Sequence, residues 1–195
     1  FVACVERINA SYCHRLRAEA YAARSAASTA LEWARELGAV PLESAALGTL
    51  GAAESALGEH ACALEHLRRA VELRRPAGPT PRLGDNLCAL AAAALAAGAV
   101  DEARRAADEL LALYRDNPRL APQPTEWLWT AAQVARAQGR SSAAAQLVRQ
   151  AQSVMRARAS VIDDDDARVA YLDLPFNRAL RATAAAVTAG PRTPG

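Results

Sequence analysis

The chain has 195 residues, 23 of them basic and 21 acidic, and a formal net charge of only +2; with no basic tail and no basic-aromatic alternation, nucleic acid is not an expected partner. Apolar residues make up 52% but aromatics only 5%, and much of the apolar share is alanine, so the composition favours closely packed helices over a large ligand cavity. No apolar run is long and charge-free enough to span a bilayer, and Glu6 and Arg7 interrupt the opening residues before a signal-peptide core can form, so a cytoplasmic location is expected.

In chain order, Val5, Ile8, Tyr12 and Leu16 recur at helical steps and predict a first helix over 2–16. A second follows from about Ala18 to Leu37, carries Trp33 as a wedge near its end, and stops at Gly38. Pro41 opens the next helix, where a first-turn residue needs no internal amide bond; Gly48 and Gly51 read as packing notches on it. Gly58 then turns the chain into a helix whose Ala63, Leu67, Ala70 and Leu73 share one face. Residues 76–82, rich in proline and glycine, form a stiff connection to a helix from about Leu83. Asp101 is a plausible cap for its partner, which ends at Tyr114. Asn117, Pro118, Pro122 and Pro124 mark another break; Thr125 and Glu126 open the following helix, on which Trp127 and Trp129 point to different sides. Gly139 closes that hairpin, and a helix from Ser141 or Ser142 to about Ala159 carries Arg149, Arg156 and Arg158 as a solvated basic end.

A single ruler fits all four hairpins. Counted from Ala18, Gly58, Gly98 and Gly139, which lie 40, 40 and 41 residues apart, the inward residues are Ala23, Ala27, Ala30 and Trp33; Ala63, Leu67, Ala70 and Leu73; Ala103, Ala107, Leu110 and Leu113; and Ala144, Val148, Ala151 and Val154. A period in this range predicts an array of helix pairs in which each unit buries its apolar face on its neighbours.

The pattern resembles the tetratricopeptide repeat (TPR) family: Leu50, Gly51 and Gly58 match the first helix of the repeat, and Ala63, Leu67 and Ala70 match the second. Later units depart from it, with Ala91 and Ala132 in place of the first glycine and Leu110 in place of the last alanine. Units near 40 residues exceed the usual length of about 34 and look like the long-helix variety found in large bacterial multidomain regulators. The resemblance implies an all-α fold, a right-handed superhelix of antiparallel helix pairs with a C-terminal capping helix. The repeats are expected over 1–160, as hairpins at about 2–39, 42–76, 83–116 and 123–159. Capping helices are expected over 161–190, where Tyr171, Leu172, Pro175, Asn177 and Arg178 resemble the tail that follows such repeats, and a disordered tail over 191–195.

Little chemistry is expected. Asp163 to Asp166 lack the glycine and spacing of a calcium loop and suit a helix start. His60, Cys62 and His66 have no further ligand in register for zinc, and no glycine pattern cradles phosphate. No nucleophile has a companion base and orienting acid, so neither catalysis nor a cofactor or metal is expected. Of Cys4, Cys13, Cys62 and Cys88, three lie among helical apolar residues, so burial as small hydrophobes is expected. An interaction scaffold is the expected role, its inner face receiving a protein or peptide segment, either of a separate partner or of another domain of the same polypeptide. Asn9, Glu54, Asn86, Trp129 and Gln133 are the candidate contacts. The chain opens on Phe1 inside helical sequence, as expected of a piece of a larger signalling or transcription-regulatory protein. A free-standing adaptor and a small-ligand sensor are the alternatives.

Overall fold

The computed structural model describes residues 1–188, with side chains through Thr183. The expected disordered tail at 191–195 lies outside the described residues. Eight helices form four antiparallel hairpins: α1 (Val2–Leu16) with α2 (Ala20–Glu36), α3 (Val40–Ala56) with α4 (His60–Arg74), α5 (Pro81–Ala96) with α6 (Val100–Asp116), and α7 (Pro124–Ala137) with α8 (Ser141–Ala159). Two more follow, α9 (Asp165–Leu172) and α10 (Pro175–Thr188). The result is an all-α, TPR-like solenoid ending in extra helices that resemble a cap.

The four ruler anchors occupy equivalent turns. Gly58, Gly98 and Gly139 have φ of 80°, 74° and 72°, and Ala18 takes the same left-handed conformation at 61°. At each turn the next amide reaches back to close the preceding helix, as in Glu59 N to Glu54 O at 2.9 Å and Ala99 N to Ala94 O at 2.8 Å. That bond serves the end of one helix, and the first turn of the next follows at once. Consequently α6 starts at Val100 behind Ala99, and Asp101 lies in the first turn without capping it by a side-chain bond, contrary to expectation. The third hairpin likewise starts two residues early, at Pro81, because Thr80 accepts from Leu83 N and caps α5.

Helices α1, α3, α5 and α7 pack on one another in sequence, whereas α2, α4, α6 and α8 make no comparable contact with each other among the described residues. The first set is therefore the inner layer of the curve, and the second fans out around it. One inter-helix bond repeats with the 40-residue period: Cys4 Sγ donates to Ala30 O at 3.3 Å, and Ser44 Oγ donates to Ala70 O at 2.8 Å. Of the first three ruler positions in each unit all are buried except Val148, which is half-buried, and the last in each unit, from Trp33 to Val154, is half-buried as well.

Three glycines on the inner layer meet neighbouring side chains. A Cβ on Gly48 would overlap Asn86 Oδ1, one on Gly84 would overlap the Trp127 ring, and one on Gly51 would lie 2.6 Å from Leu67 Cγ. Two of the four cysteines correct the expectation of burial. Cys4 and Cys88 are buried, but Cys13 and Cys62 are exposed: Cys13 lies two residues past Ser11, and Cys62 one residue before Ala63, off the buried side of its helix in each case. At the far end Asp164 accepts from Ala167 N and caps α9. Phe176, Asn177 and Leu180 of α10 are buried where α10 packs on α7 and α8, and Asn177 Nδ2 donates to Tyr171 O at 2.7 Å.

Candidate ligand groove

Aligning the inner helices by the period identifies what faces the groove. Positions 45, 49 and 52 are Ala45, Thr49 and Ala52; the equivalents on α5 are Asp85, Ala89 and Ala92, and on α7 they are Glu126, Thr130 and Gln133. Their steps of four and three residues keep each set on one side of its helix. Nearly all of them line one of two adjoining cavities, of about 370 and 440 Å³. Both cavities are bordered by Arg15, Ala92, Glu126, Thr130 and Pro175.

Arg15 and Glu126 form the partition. Arg15 Nη1 donates to Glu126 Oε1 at 2.8 Å and Nη2 to Oε2 at 3.4 Å, linking the end of α1 to the start of α7 across 111 residues of chain. The side chains are only 26% and 18% exposed. Burial works against the Arg15 charge, but the Glu126 carboxylate outweighs it and holds the guanidinium more firmly protonated than usual. The Tyr12 ring lies 5.0 Å from the same guanidinium. Burial also pushes the Tyr12 hydroxyl and the Cys88 thiol up, with Glu126 adding to both, so both stay neutral.

A second carboxylate sits on the groove wall. Asp85 Oδ1 accepts from Trp127 Nε1 at 3.1 Å, and the Trp127 ring, 1% exposed, is wedged in the notch at Gly84. Oδ2 lies 3.9 Å from Arg82 Nη1, beyond hydrogen-bonding reach. Burial raises the Asp85 pKa; Arg82 and the indole bond oppose it, and Glu126 adds to it.

The five candidate contacts are distributed unevenly. Trp129 and Gln133 are half-buried and line the second cavity. Asn86 borders the first but is 2% exposed, its Nδ2 donating to Ser44 Oγ at 3.1 Å and Ala70 O at 3.3 Å. Glu54 is 6% exposed, borders neither cavity and meets His66 Nδ1 at 2.7 Å through Oε2. Asn9 is exposed; it shares the register of Thr49, Ala89 and Thr130 but lies outside both cavities. Sequence reading missed Arg15, Arg82, Asp85 and Glu126 as groove residues, and took Tyr12 only as part of the helical apolar stripe. The signal was available at the position 45 register, where apolar Val5 and Ala45 in the first two units give way to Asp85 and Glu126 in the last two. Among the described residues, no three His, Cys, Asp or Glu side chains gather as a metal site, and no helix is long and apolar enough to cross a membrane.

No protein-family model matches the chain, and no curated protein matches it. Among solved structures, the chain is similar to a Podospora anserina protein ascribed to the kinesin light chains and built of nearly identical TPR-like repeats. The TM-score is 0.62 at 17% identity, over 94% of this chain and 89% of that one. A single-substitution variant of the same protein gives a TM-score of 0.63 with the same identity and coverage. The likeness is one of fold.

Proposed function

We propose that this chain is a protein-binding scaffold whose inner groove, walled by α1, α3, α5 and α7, takes an extended peptide segment. The observation that carries this reading is the inward stripe of α3, α5 and α7. Its small members, Ala52, Ala89 and Ala92, leave room between charged and aromatic neighbours instead of filling it. A groove with an apolar floor and a few fixed polar groups suits a side chain or a short segment, since cavities of about 300–1,000 Å³ are the usual size for small ligands. Trp129 and Gln133 would meet the segment through the second cavity, and Asn86 would act behind the wall. Asn9 would meet only a segment that runs past the first cavity, and Glu54 is the weakest of the five.

Panning a random peptide library on the full chain tests the idea. Ala92 is exposed and borders both cavities, so Ala92→Arg puts a long side chain into the groove at a position where folding tolerates it. Enriched peptides are expected to bind the wild type and to lose at least about tenfold in affinity on Ala92→Arg. Absence of enrichment, or equal binding to both proteins, overturns the proposal.

A narrower role, as the cytoplasmic regulatory repeat region of a bacterial signalling or transcription-regulatory protein, is favoured by the tail alone. There the fully buried Asn177 ties α10 to the end of α9 within the Tyr171, Leu172, Pro175, Asn177, Arg178 pattern. The gene sequence upstream of Phe1 tests it: a contiguous switch, kinase, cyclase or DNA-binding domain supports this role, and its absence leaves the free-standing adaptor.

A further inference from the structure

We propose that Asp85 is the anchor for a lysine or arginine side chain of the bound segment; this rests on the groove reading above. The cavity holds two carboxylates in different states. Glu126 has both oxygens engaged by Arg15 at 2.8 and 3.4 Å. Asp85 has one oxygen fixed by the Trp127 indole, while the other faces its nearest cation, Arg82, across 3.9 Å. It is therefore immobile, half withdrawn from water and left with open acceptor capacity. A partly buried carboxylate in that condition gains more from an arriving cation than a fully solvated one does, because part of its desolvation has already occurred.

The walls fit the rest of such a side chain. Ala52, Ala56, Ala89 and Ala92 border the same cavity and offer a small apolar surface to an aliphatic stem, with the charged head at Asp85. The groups facing Asp85 are Arg82 and Cys88 on its own helix, Glu126 and Trp127 on α7, and Arg15 and Tyr12 on α1. An acidic side chain is served less well. Arg15 is already occupied by Glu126 and stacked on Tyr12, and Arg82 is the remaining cation, with Asp85 beside it. Burial also raises the Asp85 pKa in the empty groove, a penalty that a bound cation would reverse.

Peptides selected on the wild-type chain provide the test. They are expected to share a lysine or arginine, and replacing it with norleucine should weaken binding at least about tenfold. Asp85→Asn keeps an acceptor for the Trp127 indole but removes the charge. It should cause a similar loss, and combining it with the norleucine peptide should cost little more than either change alone. The Trp127 indole resonance should move on binding of the lysine peptide and stay in place in Asp85→Asn. Peptides that lose affinity on Ala92→Arg yet carry no basic residue, or ignore Asp85→Asn, overturn the anchor while leaving the groove intact. Failure to select any peptide overturns both. If Asp85→Asn does not fold, the norleucine replacement decides alone.

Discussion

At the scale of single residues, the groove is built at some expense to stability. Asp85 is the clearest case: burial raises its pKa, so between the ordinary carboxylate range and that raised value the folded chain holds more protons than the unfolded one. Stability must then fall as pH rises through that window. Asp85→Asn removes the ionisation and should melt higher than wild type at neutral pH, with the gain fading as the medium is made acidic enough to protonate Asp85 in both states. Thermal melts of the two proteins across pH check this, and a gain that is the same at every pH would refute it. Ala18 presents a simpler strain. It holds φ of 61° at the turn where the other three units have glycine, and its methyl is exposed. A left-handed alanine costs about 1–2 kcal/mol, of which the extra freedom of an unfolded glycine cancels about half. Ala18→Gly is thus expected to stabilise the chain by up to about 1 kcal/mol in denaturant titration.

Between elements, the contacts that set register are polar and small. Asn86 of α5 reaches into the notch at Gly48 of α3 and donates to Ser44 and Ala70, near where the apolar cluster built on α1, α2 and α3 meets the one that runs from α4 onward. Gly48→Ala should cost about 1–3 kcal/mol by overpacking. Combining it with Asn86→Ala should recover part of that loss, because the atom that the new methyl would strike is then gone. A double-mutant cycle measures the coupling, and strict additivity would show that the notch has another purpose. The same contacts explain what the sequence could and could not reveal. The ruler from Gly58 to Leu67 and Ala70 was legible because helical phase and an αL turn depend on near neighbours in the chain. The role of Asn86 was not, since a polar residue on an inward face reads equally as a ligand contact or as a buried tie, and Ser44 and Ala70 lie 42 and 16 residues away. Gly84 was silent for the same reason, as its partner Trp127 belongs to the next unit.

Across the whole molecule, the Arg15–Glu126 pair breaks the rule that a repeat stack couples only nearest neighbours. It joins the first hairpin to the fourth and closes the groove between them. Most other inter-unit ion pairs lie on the outer layer between adjacent units: Arg24 with Glu59, Arg68 with Glu102, and Arg75 with Glu109. Their arginines are 38% to 55% exposed, so salt should weaken them and leave Arg15–Glu126 largely intact. Glu126→Gln removes the charge that offsets Arg15 in a site only about a quarter open to water. The loss should be about 1–3 kcal/mol, below the about 3–5 kcal/mol for breaking a fully buried pair. Because the loss falls on a tie between distant units, it should appear as faster amide exchange at the end of α1 and the start of α7. Amides in α4 and α6, which the pair does not touch, should keep their protection. Equal loss of protection in all four helices would mean that the stack already opens as one body, and that its inner and outer layers are coupled more tightly than nearest-neighbour packing allows.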